Sequence, residues 1–204
     1  MDTLSKLFGG AAKVKMLKLF IFNPDEAFDT TYIADRTKES LGKVRRELSL
    51  LHKAGFIKKR TFFKTIENGR GGKPTKRKTN GWTLDRKFVY LAPLRSFLIS
   101  MNQFGPKHIA SKLQRSGNMK LIIVSGVFIQ EPDSRVDLLI VGDHLKKNVL
   151  DNAIRTIEAE MGKEIRYAVF ETPDFQYRYG LYDKLIRDIL DFPHKKMLDR
   201  IGIS

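Results

Sequence analysis

Apolar residues recur at helical spacing in three consecutive segments of the first 55 residues. The first segment ends at Asn23-Pro24, and its apolar positions are Val14, Leu17, Phe20 and Ile21. A short second helix is predicted over residues 32–36, with Asp29, Thr30 or Thr31 as its cap. The third helix has Ser40 as N-cap and Gly55 after its end, and its apolar stripe is Leu41, Val44, Leu48 and Leu51. This pattern predicts a tri-helical helix-turn-helix.

A strand is predicted next, because β-branched and aromatic residues predominate over residues 56–67. The returning strand is expected to begin at Trp82, after a connection of residues 68–81. That connection has four glycines, no acidic residue and five basic residues, Arg70, Lys73, Lys76, Arg77 and Lys78. Its length is unusual for a hairpin, so we expect a functional loop. A helix, a strand and a basic hairpin in this order predict a winged helix-turn-helix.

The second half alternates strand-like and helix-like segments. Pro106 is expected to open a helix that ends at Gly117, and Phe175, Tyr177 and Tyr179 alternate as in a short strand. Further strands are predicted over 119–129, 135–141 and 165–170, and further helices over 149–161 and 182–190. The predicted fold is therefore α+β. It comprises a winged helix-turn-helix at 1–90, a connector at 91–105 with a helix from Pro93, and a small α/β domain with a mixed sheet at 106–204.

Charge is concentrated in the first half of the chain. The net charge is +15, and residues 1–100 contribute 22 basic against 9 acidic side chains, which indicates a polyanion-binding half. There is no cysteine, and the four histidines lack the spacing of a helical metal pair, so no metal site is predicted. No signal peptide or apolar run of 18 residues is present, so we expect a cytoplasmic protein without a membrane partner.

The side of the third helix opposite Val44 is basic and is predicted to face DNA. Arg45 and Arg46 are the candidates for base contacts, because a guanidinium group can bind guanine O6 and N7 together. Gly42 would let the helix backbone approach the duplex. The predicted DNA-binding residues are Ser40, Gly42, Lys43, Arg45, Arg46, Ser49, Lys53, Arg70, Lys73, Lys76, Arg77 and Lys78. The alternative interpretation is a solvated helix face and a flexible loop.

The segment containing Ser125-Gly126 and residues 133–141 resembles the active-site signature of the minimal nucleotidyltransferase superfamily. The whole chain resembles bacterial and archaeal regulators that join a winged helix to such a domain, and the runs Phe175-x-Tyr177-Arg178 and 183–194 share this likeness. In active members a Gly-Ser pair and an Asp-x-Asp pair, often with a third carboxylate, bind triphosphate and magnesium. The resemblance therefore implies a nucleotidyltransferase-like fold in the second half.

The residues depart from that signature at the catalytic positions. Arg135 replaces the first Asp, only Asp137 is retained, and Arg166 stands at the third position. Guanidinium groups repel Mg²⁺ and supply no oxygen ligand, so we predict a domain without catalytic residues. Ser125-Gly126 reverses the Gly-Ser order, and residues 127–129 are expected to continue the strand. The candidate ligand-binding residues are Ser125, Gly126, Arg135, Asp137 and Arg166.

Two interpretations of this second site stay open. The arginines could bind a nucleotide or another phosphate ligand directly. Alternatively, Arg135 pairs with a local carboxylate, Asp137 is held by backbone amides, and the domain serves dimerisation or partner binding. No cofactor is expected.

The sequence as a whole predicts a transcriptional regulator that binds double-stranded DNA, with a homodimer reading a palindromic site. One alternative function is an active nucleotidyltransferase that the winged helix targets to a nucleic acid or a partner protein. A second alternative is a nucleic-acid-associated interaction protein without sequence preference.

Overall fold

The computed structural model describes residues 3–66, 74–100, 106–129, 131 and 133–203. The chain divides into two compact units, residues 1–101 with 159–163 and residues 102–158 with 164–204, called here the first and second unit. The described residues form nine α-helices and two small sheets, one of them mixed. The predicted α+β class and mixed sheet are therefore confirmed.

The first unit contains five helices and a β-hairpin. Its helices are α1 (Thr3–Leu7), α2 (Ala11–Phe22), α3 (Thr30–Thr37), α4 (Leu41–Lys53) and α5 (Leu91–Ser100). Its strands are β1 (Ile57–Ile66) and β2 (Thr75–Leu84). Asp29 caps α3, since its carboxylate accepts a hydrogen bond of 2.9 Å from the Tyr32 amide. Gly55 follows α4 with φ +76°, a conformation that glycine adopts without steric cost.

The core of the first unit forms around Phe20, Ile33, Val44 and Leu48, all of which are buried. The predicted apolar stripe of α4 needs one correction, because Leu41 is 42% exposed. It lies in the first turn of α4, where little of the unit covers it. Glu47 is buried on the inner side of the helix instead, and its carboxylate lies 3.6 Å from the Lys13 ammonium group.

The hairpin pairs β1 and β2 in antiparallel register, from Ile57 opposite Leu84 to Ile66 opposite Thr75. The predicted start of the returning strand at Trp82 was wrong, since β2 begins seven residues earlier. Residues 75–81 are polar and lack a strand-like pattern. They are extended because they form backbone hydrogen bonds with β1. Trp82 also exchanges two backbone hydrogen bonds of 2.9 Å with Phe28, which fixes the hairpin root to the unit.

Helix α5 occupies most of the segment that was predicted to be a connector. It begins at Leu91 rather than Pro93, and Leu98 is buried in the core of the first unit. Apolar burial therefore attaches this helix to the first unit.

The second unit is built on a four-stranded sheet with the order β5-β4-β3-β6. Its strands are β3 (Asn118–Val124), β4 (Leu138–Asp143), β5 (Tyr167–Glu171) and β6 (Lys195–Asp199). Its helices are α6 (Pro106–Leu113), α7 (Lys147–Met161), α8 (Thr172–Gly180) and α9 (Lys184–Leu190), and the last three residues of α7 are counted with the first unit. Among the four described strands of this sheet only β4 and β5 run parallel, and α7 lies between them in the chain, as a parallel crossover requires. The sheet packs against α8 and α9 through Phe175, Ile186 and Ile189.

Two local predictions in this unit were wrong, and one strand was not predicted. Residues 127–129 do not extend β3, because a 3-10 turn, Gly126–Phe128, follows that strand. Residues 175–179 form part of α8, in which Phe175 and Tyr179 stack one helical turn apart with ring centroids 5.9 Å apart. Pro173 near the start of α8 favours this helix. Strand β6 was not expected, and it forms because residues 195–199 pair antiparallel with β3.

No helix in the described part of the chain combines the length and the apolar character needed to cross a membrane.

Candidate functional site

The exposed side of α4 carries all seven residues that were predicted to face DNA from this helix. Val44, Leu48 and Leu51 point into the core, so the opposite side is left to solvent. The seven exposed residues are Ser40, Gly42, Lys43, Arg45, Arg46, Ser49 and Lys53. The side of α4 that faces water is therefore basic, with no acidic side chain on it.

The hairpin presents two faces, because successive side chains of a strand point to opposite sides. The face on the side of α4, called here the α4-side face, carries Trp82, whose ring meets His52 of α4 at a centroid distance of 5.3 Å. His52 Nδ1 lies at 3.0 Å from the Ile57 carbonyl oxygen, which fixes the end of α4 to β1. Directly paired residues share a face, as the 3.0 Å hydrogen bond from Thr61 to Asn80 illustrates.

The register assigns the predicted wing cations to different faces. Lys76 and Lys78 lie on the α4-side face, whereas Arg77 lies on the opposite face beside Lys64. The α4-side face as a whole comprises Ile57, Lys59, Thr61, Phe63, Thr65, Lys76, Lys78, Asn80, Trp82 and Leu84. Arg70 and Lys73, the other predicted wing residues, lie outside the described residues.

Pairing with carboxylates separates two groups of cations in the first unit. Lys43 lies 3.4 Å from Glu39, Lys64 lies 2.8 Å from Asp29, and Lys58 lies 3.4 Å from Asp85. In contrast, a second group of seven cations forms no ion pair with any carboxylate of the described residues, namely Arg45, Arg46, Lys53, Lys59, Lys76, Arg77 and Lys78. Outside this group, Lys6, Arg60 and Arg95 of the same unit also form none. This second group, called here the unpaired cations, lies on the exposed side of α4 and on the hairpin.

Sequence reasoning missed three residues of this surface. Leu50 is 45% exposed on α4, one turn after Arg46. Lys59 is paired directly with Trp82 and lies with it on the α4-side face. Phe63, which is 68% exposed, lies on the same face. Strand alternation counted from buried Ile57 would have placed Lys59 and Phe63. No such signal was available for Leu50. It lies between the buried Leu48 and Leu51 in the sequence, and an apolar residue there could belong to the buried or to the exposed side of the helix.

In the second unit the Asp137 carboxylate is buried and makes four hydrogen bonds. Oδ1 accepts from the Val127 amide and from Arg166 Nη2, both at 3.0 Å. Oδ2 accepts from the Arg166 amide at 2.9 Å and from Arg166 Nε at 3.0 Å. Burial would raise the pKa of Asp137, but the hydrogen bonds from Arg166 and Val127 outweigh it and hold the pKa below its ordinary value. The same pairing raises the pKa of Arg166.

Gly126 is required by this arrangement. It has φ +53°, and a Cβ atom at this position would lie only 1.9 Å from Asp137 Oδ1. Its amide donates to Ser134 Oγ at 3.1 Å. The neighbouring Ser125 hydroxyl donates to the Val136 carbonyl oxygen. The turn between β3 and the 3-10 segment is therefore closed onto the carboxylate rather than open to a ligand.

The five predicted ligand-binding residues are thus only partly brought together. Ser125, Gly126, Asp137 and Arg166 form one cluster. Arg135 instead forms an ion pair of 3.0 Å with Asp188 of α9. Both guanidinium groups already have carboxylate partners, so neither offers an unpaired charge to a phosphate.

The donor set around Asp137 does not fit Mg²⁺. Magnesium needs several oxygen ligands in near-octahedral geometry, and both oxygens of Asp137 are taken up by N–H donors. A guanidinium cation within hydrogen-bond distance also opposes a divalent cation. Among the residues described, no group of three or more His, Asp or Glu side chains is arranged to hold a metal ion.

Comparisons of the chain with protein-family models, with curated proteins and with solved structures found no match. The function is therefore inferred from the surface and the cluster just described.

Proposed function

We propose that this protein binds double-stranded DNA through α4 and the hairpin and acts as a transcriptional regulator. The observation that carries the proposal is the location of the unpaired cations. On the exposed side of α4 Lys43 pairs with Glu39, whereas Arg45, Arg46 and Lys53 have no carboxylate partner among the described residues. Cations without local partners can replace the counterions condensed on DNA, which drives binding.

In this proposal α4 enters the major groove, which admits one helix. Arg46 lies at the centre of the exposed side and Arg45 at its margin, so both reach base edges. Leu50, one turn along from Arg46, is suited to contact a thymine methyl group. The helix backbone approaches the duplex at Gly42, where a Cβ atom would meet only open space within 4 Å.

The hairpin contributes contacts to the DNA backbone. Lys76 and Lys78 project from the face that meets α4, so they reach phosphates next to the groove that α4 occupies. Lys59 adds a third cation to this face. Phosphate contacts position the protein without distinguishing sequences, whereas contacts from α4 distinguish them.

We assign the second unit a non-catalytic role in dimerisation or partner binding. Its retained carboxylate is held by Arg166 and Val127, which leaves no oxygen for catalysis. A two-fold dimer would present two copies of α4 to a palindromic site.

The test is fluorescence anisotropy with the full chain and labelled duplexes. A binding site selected from a random duplex pool is compared with its scrambled version at two salt concentrations. We expect tighter binding to the selected site, and affinity for both duplexes that falls steeply with salt. Absence of binding to every duplex at low ionic strength would overturn the proposal. Equal binding to all duplexes would leave a nucleic-acid-binding protein without sequence preference.

A further inference from the structure

Phe63 is an aromatic side chain exposed among cations. It is 68% exposed on β1 and is paired directly with Lys78 across the hairpin. The next residue of the same face toward the hairpin end, Thr65, is paired with Lys76. Six residues separate Phe63 from Ile57 at the hairpin root, which places it about 20 Å along the strand. The ring therefore lies far from the core and beside two unpaired cations.

The neighbouring Phe62 shows what a structural aromatic residue looks like in the same strand. Its ring packs over Gly81, where a Cβ atom would lie 2.7 Å from Phe62 Cε1. It points to the face opposite that of Phe63. Phe62 thus packs on the hairpin itself, whereas the Phe63 side chain remains largely exposed to solvent.

We propose that Phe63 acts as a wedge that stacks on bases at a locally unstacked step of duplex DNA. The inference rests on the proposed DNA-binding function and adds a preferred ligand, namely a duplex with a bulge, a mismatch or an easily kinked step. Lys76 and Lys78 bind the phosphates on either side of the step, and the ring between them meets the bases. Inserting a side chain costs base stacking, so the wedge favours steps at which that stacking is already weak.

The aromatic ring suits this role because every base has a flat apolar face. Stacking on a protein ring is independent of sequence, so the preference concerns the local stability of the duplex rather than the bases. The sequence-reading contacts of α4 are separate from it. A variant can therefore lose the preference for weakly stacked steps and still distinguish DNA sequences.

The experiment compares two duplexes of the same sequence, one fully paired and one with a single-base bulge at its centre. Anisotropy gives the affinity of the wild-type chain and of Phe63→Ala, Phe63→Leu and Tyr90→Ala. Tyr90 is the matched control, because it is 67% exposed in the same unit and lies outside the hairpin. Thermal unfolding of each variant checks the fold, and we expect Phe63→Ala to melt like the wild type.

We expect the wild type and Tyr90→Ala to bind the bulged duplex roughly tenfold more tightly than the paired one. Phe63→Ala should bind both duplexes equally, and Phe63→Leu should retain part of the preference. A 2-aminopurine base beside the bulge should change its fluorescence with the wild type and not with Phe63→Ala.

The wedge is refuted if the preference persists in Phe63→Ala, or if the wild type has none while it still binds both duplexes. The second result leaves the proposed DNA-binding function intact. Failure of the wild type to bind either duplex refutes the proposed function itself, so the two failures are distinguishable.

Discussion

Arg166 binds both carboxylate oxygens of Asp137, with Nε at 3.0 Å from Oδ2 and Nη2 at 3.0 Å from Oδ1. The residue that could have held a metal ion is thereby held by an arginine of the same chain. Asp137 is fully buried and Arg166 is half-exposed, so the pair closes the end of β4 at the surface of the second unit. We therefore expect this ion pair to contribute to the stability of the second unit.

Asp137→Asn should destabilise the second unit by about 1 to 3 kcal/mol. An amide offers one acceptor oxygen where the carboxylate offers two, and it leaves the Arg166 charge without a counterion. Urea unfolding followed by circular dichroism measures the loss. Asp188→Asn is the matched control, because it breaks the more exposed pair with Arg135 and should cost less than about 1 kcal/mol.

Acidic pH should remove the stabilisation that the Asp137–Arg166 pair gives the wild type. The folded-state pKa of Asp137 is below its ordinary value of 3.8, so its pairing stabilises the protein above that pH. The contribution is lost as the pH falls through the lowered folded-state pKa. The difference in stability between wild type and Asp137→Asn should therefore be constant at neutral pH and shrink below about pH 4. A difference that grows on acidification would contradict the assignment.

Nucleotidyl transfer should be absent. The protein incubated with labelled nucleoside triphosphates, Mg²⁺ and candidate acceptors should transfer no label, because Asp137 lacks a free oxygen for the metal. Transfer that disappears in Asp137→Ala would reverse this conclusion and support an enzyme targeted by its DNA-binding unit.

Arg46→Ala and Lys76→Ala should affect DNA binding differently. Arg46 lies in the middle of the exposed side of α4, so its loss should reduce the ratio of affinities for selected and scrambled duplexes. Lys76 is proposed to contact phosphate, so its loss should weaken binding to both duplexes by the same factor. Anisotropy titrations on both duplexes measure the ratio, and equal behaviour of the two variants would disprove this division of roles.

The salt dependence of the DNA affinity should report the number of phosphate contacts. Each alanine substitution at Lys76, Arg77 or Lys78 should reduce the slope of log affinity against log salt by about 0.9. Lys58→Ala is the control and should leave the slope unchanged, because Lys58 already pairs with Asp85. If Arg77→Ala leaves the slope unchanged while Lys76→Ala and Lys78→Ala reduce it, only the α4-side face of the hairpin contacts DNA.

Two glycines should respond to alanine in opposite directions. A Cβ atom at Gly81 would lie 2.4 Å from the Phe28 carbonyl oxygen, so Gly81→Ala should cost about 2 kcal/mol or more. Gly42 is helical with open space around it, so Gly42→Ala should stabilise α4 by about 0.5 to 1 kcal/mol. Gly42→Ala should nevertheless weaken DNA binding, if the helix backbone approaches the duplex. Thermal unfolding and anisotropy measure the two effects separately.

Three helices of the first unit, α2, α3 and α4, could be predicted because each carries its own signals. Apolar spacing located α2 and α4, Asp29 supplied a cap for α3, and Gly55 marked the end of α4. The extent of β2 could not be predicted, because residues 75–81 are polar and owe their conformation to hydrogen bonds with β1. Strand β6 was missed for the same reason, since its partner is the distant β3.

The composition of the Asp137 cluster was predictable and its geometry was not. The sequence shows an arginine at each of two positions where carboxylates would be expected. It does not show that Arg166 turns toward Asp137 while Arg135 turns toward Asp188, because those choices depend on how β4, β5 and α9 pack. Exposure of Phe63 likewise depends on the register of the hairpin, which a single strand does not determine.

Trp82 is the only tryptophan of the chain, and it lies where the hairpin root meets the last turn of α4. The molecule therefore contains a natural fluorophore beside the surface proposed to bind DNA. Its emission, quenched or shifted when a duplex arrives, would report docking in unlabelled protein in real time.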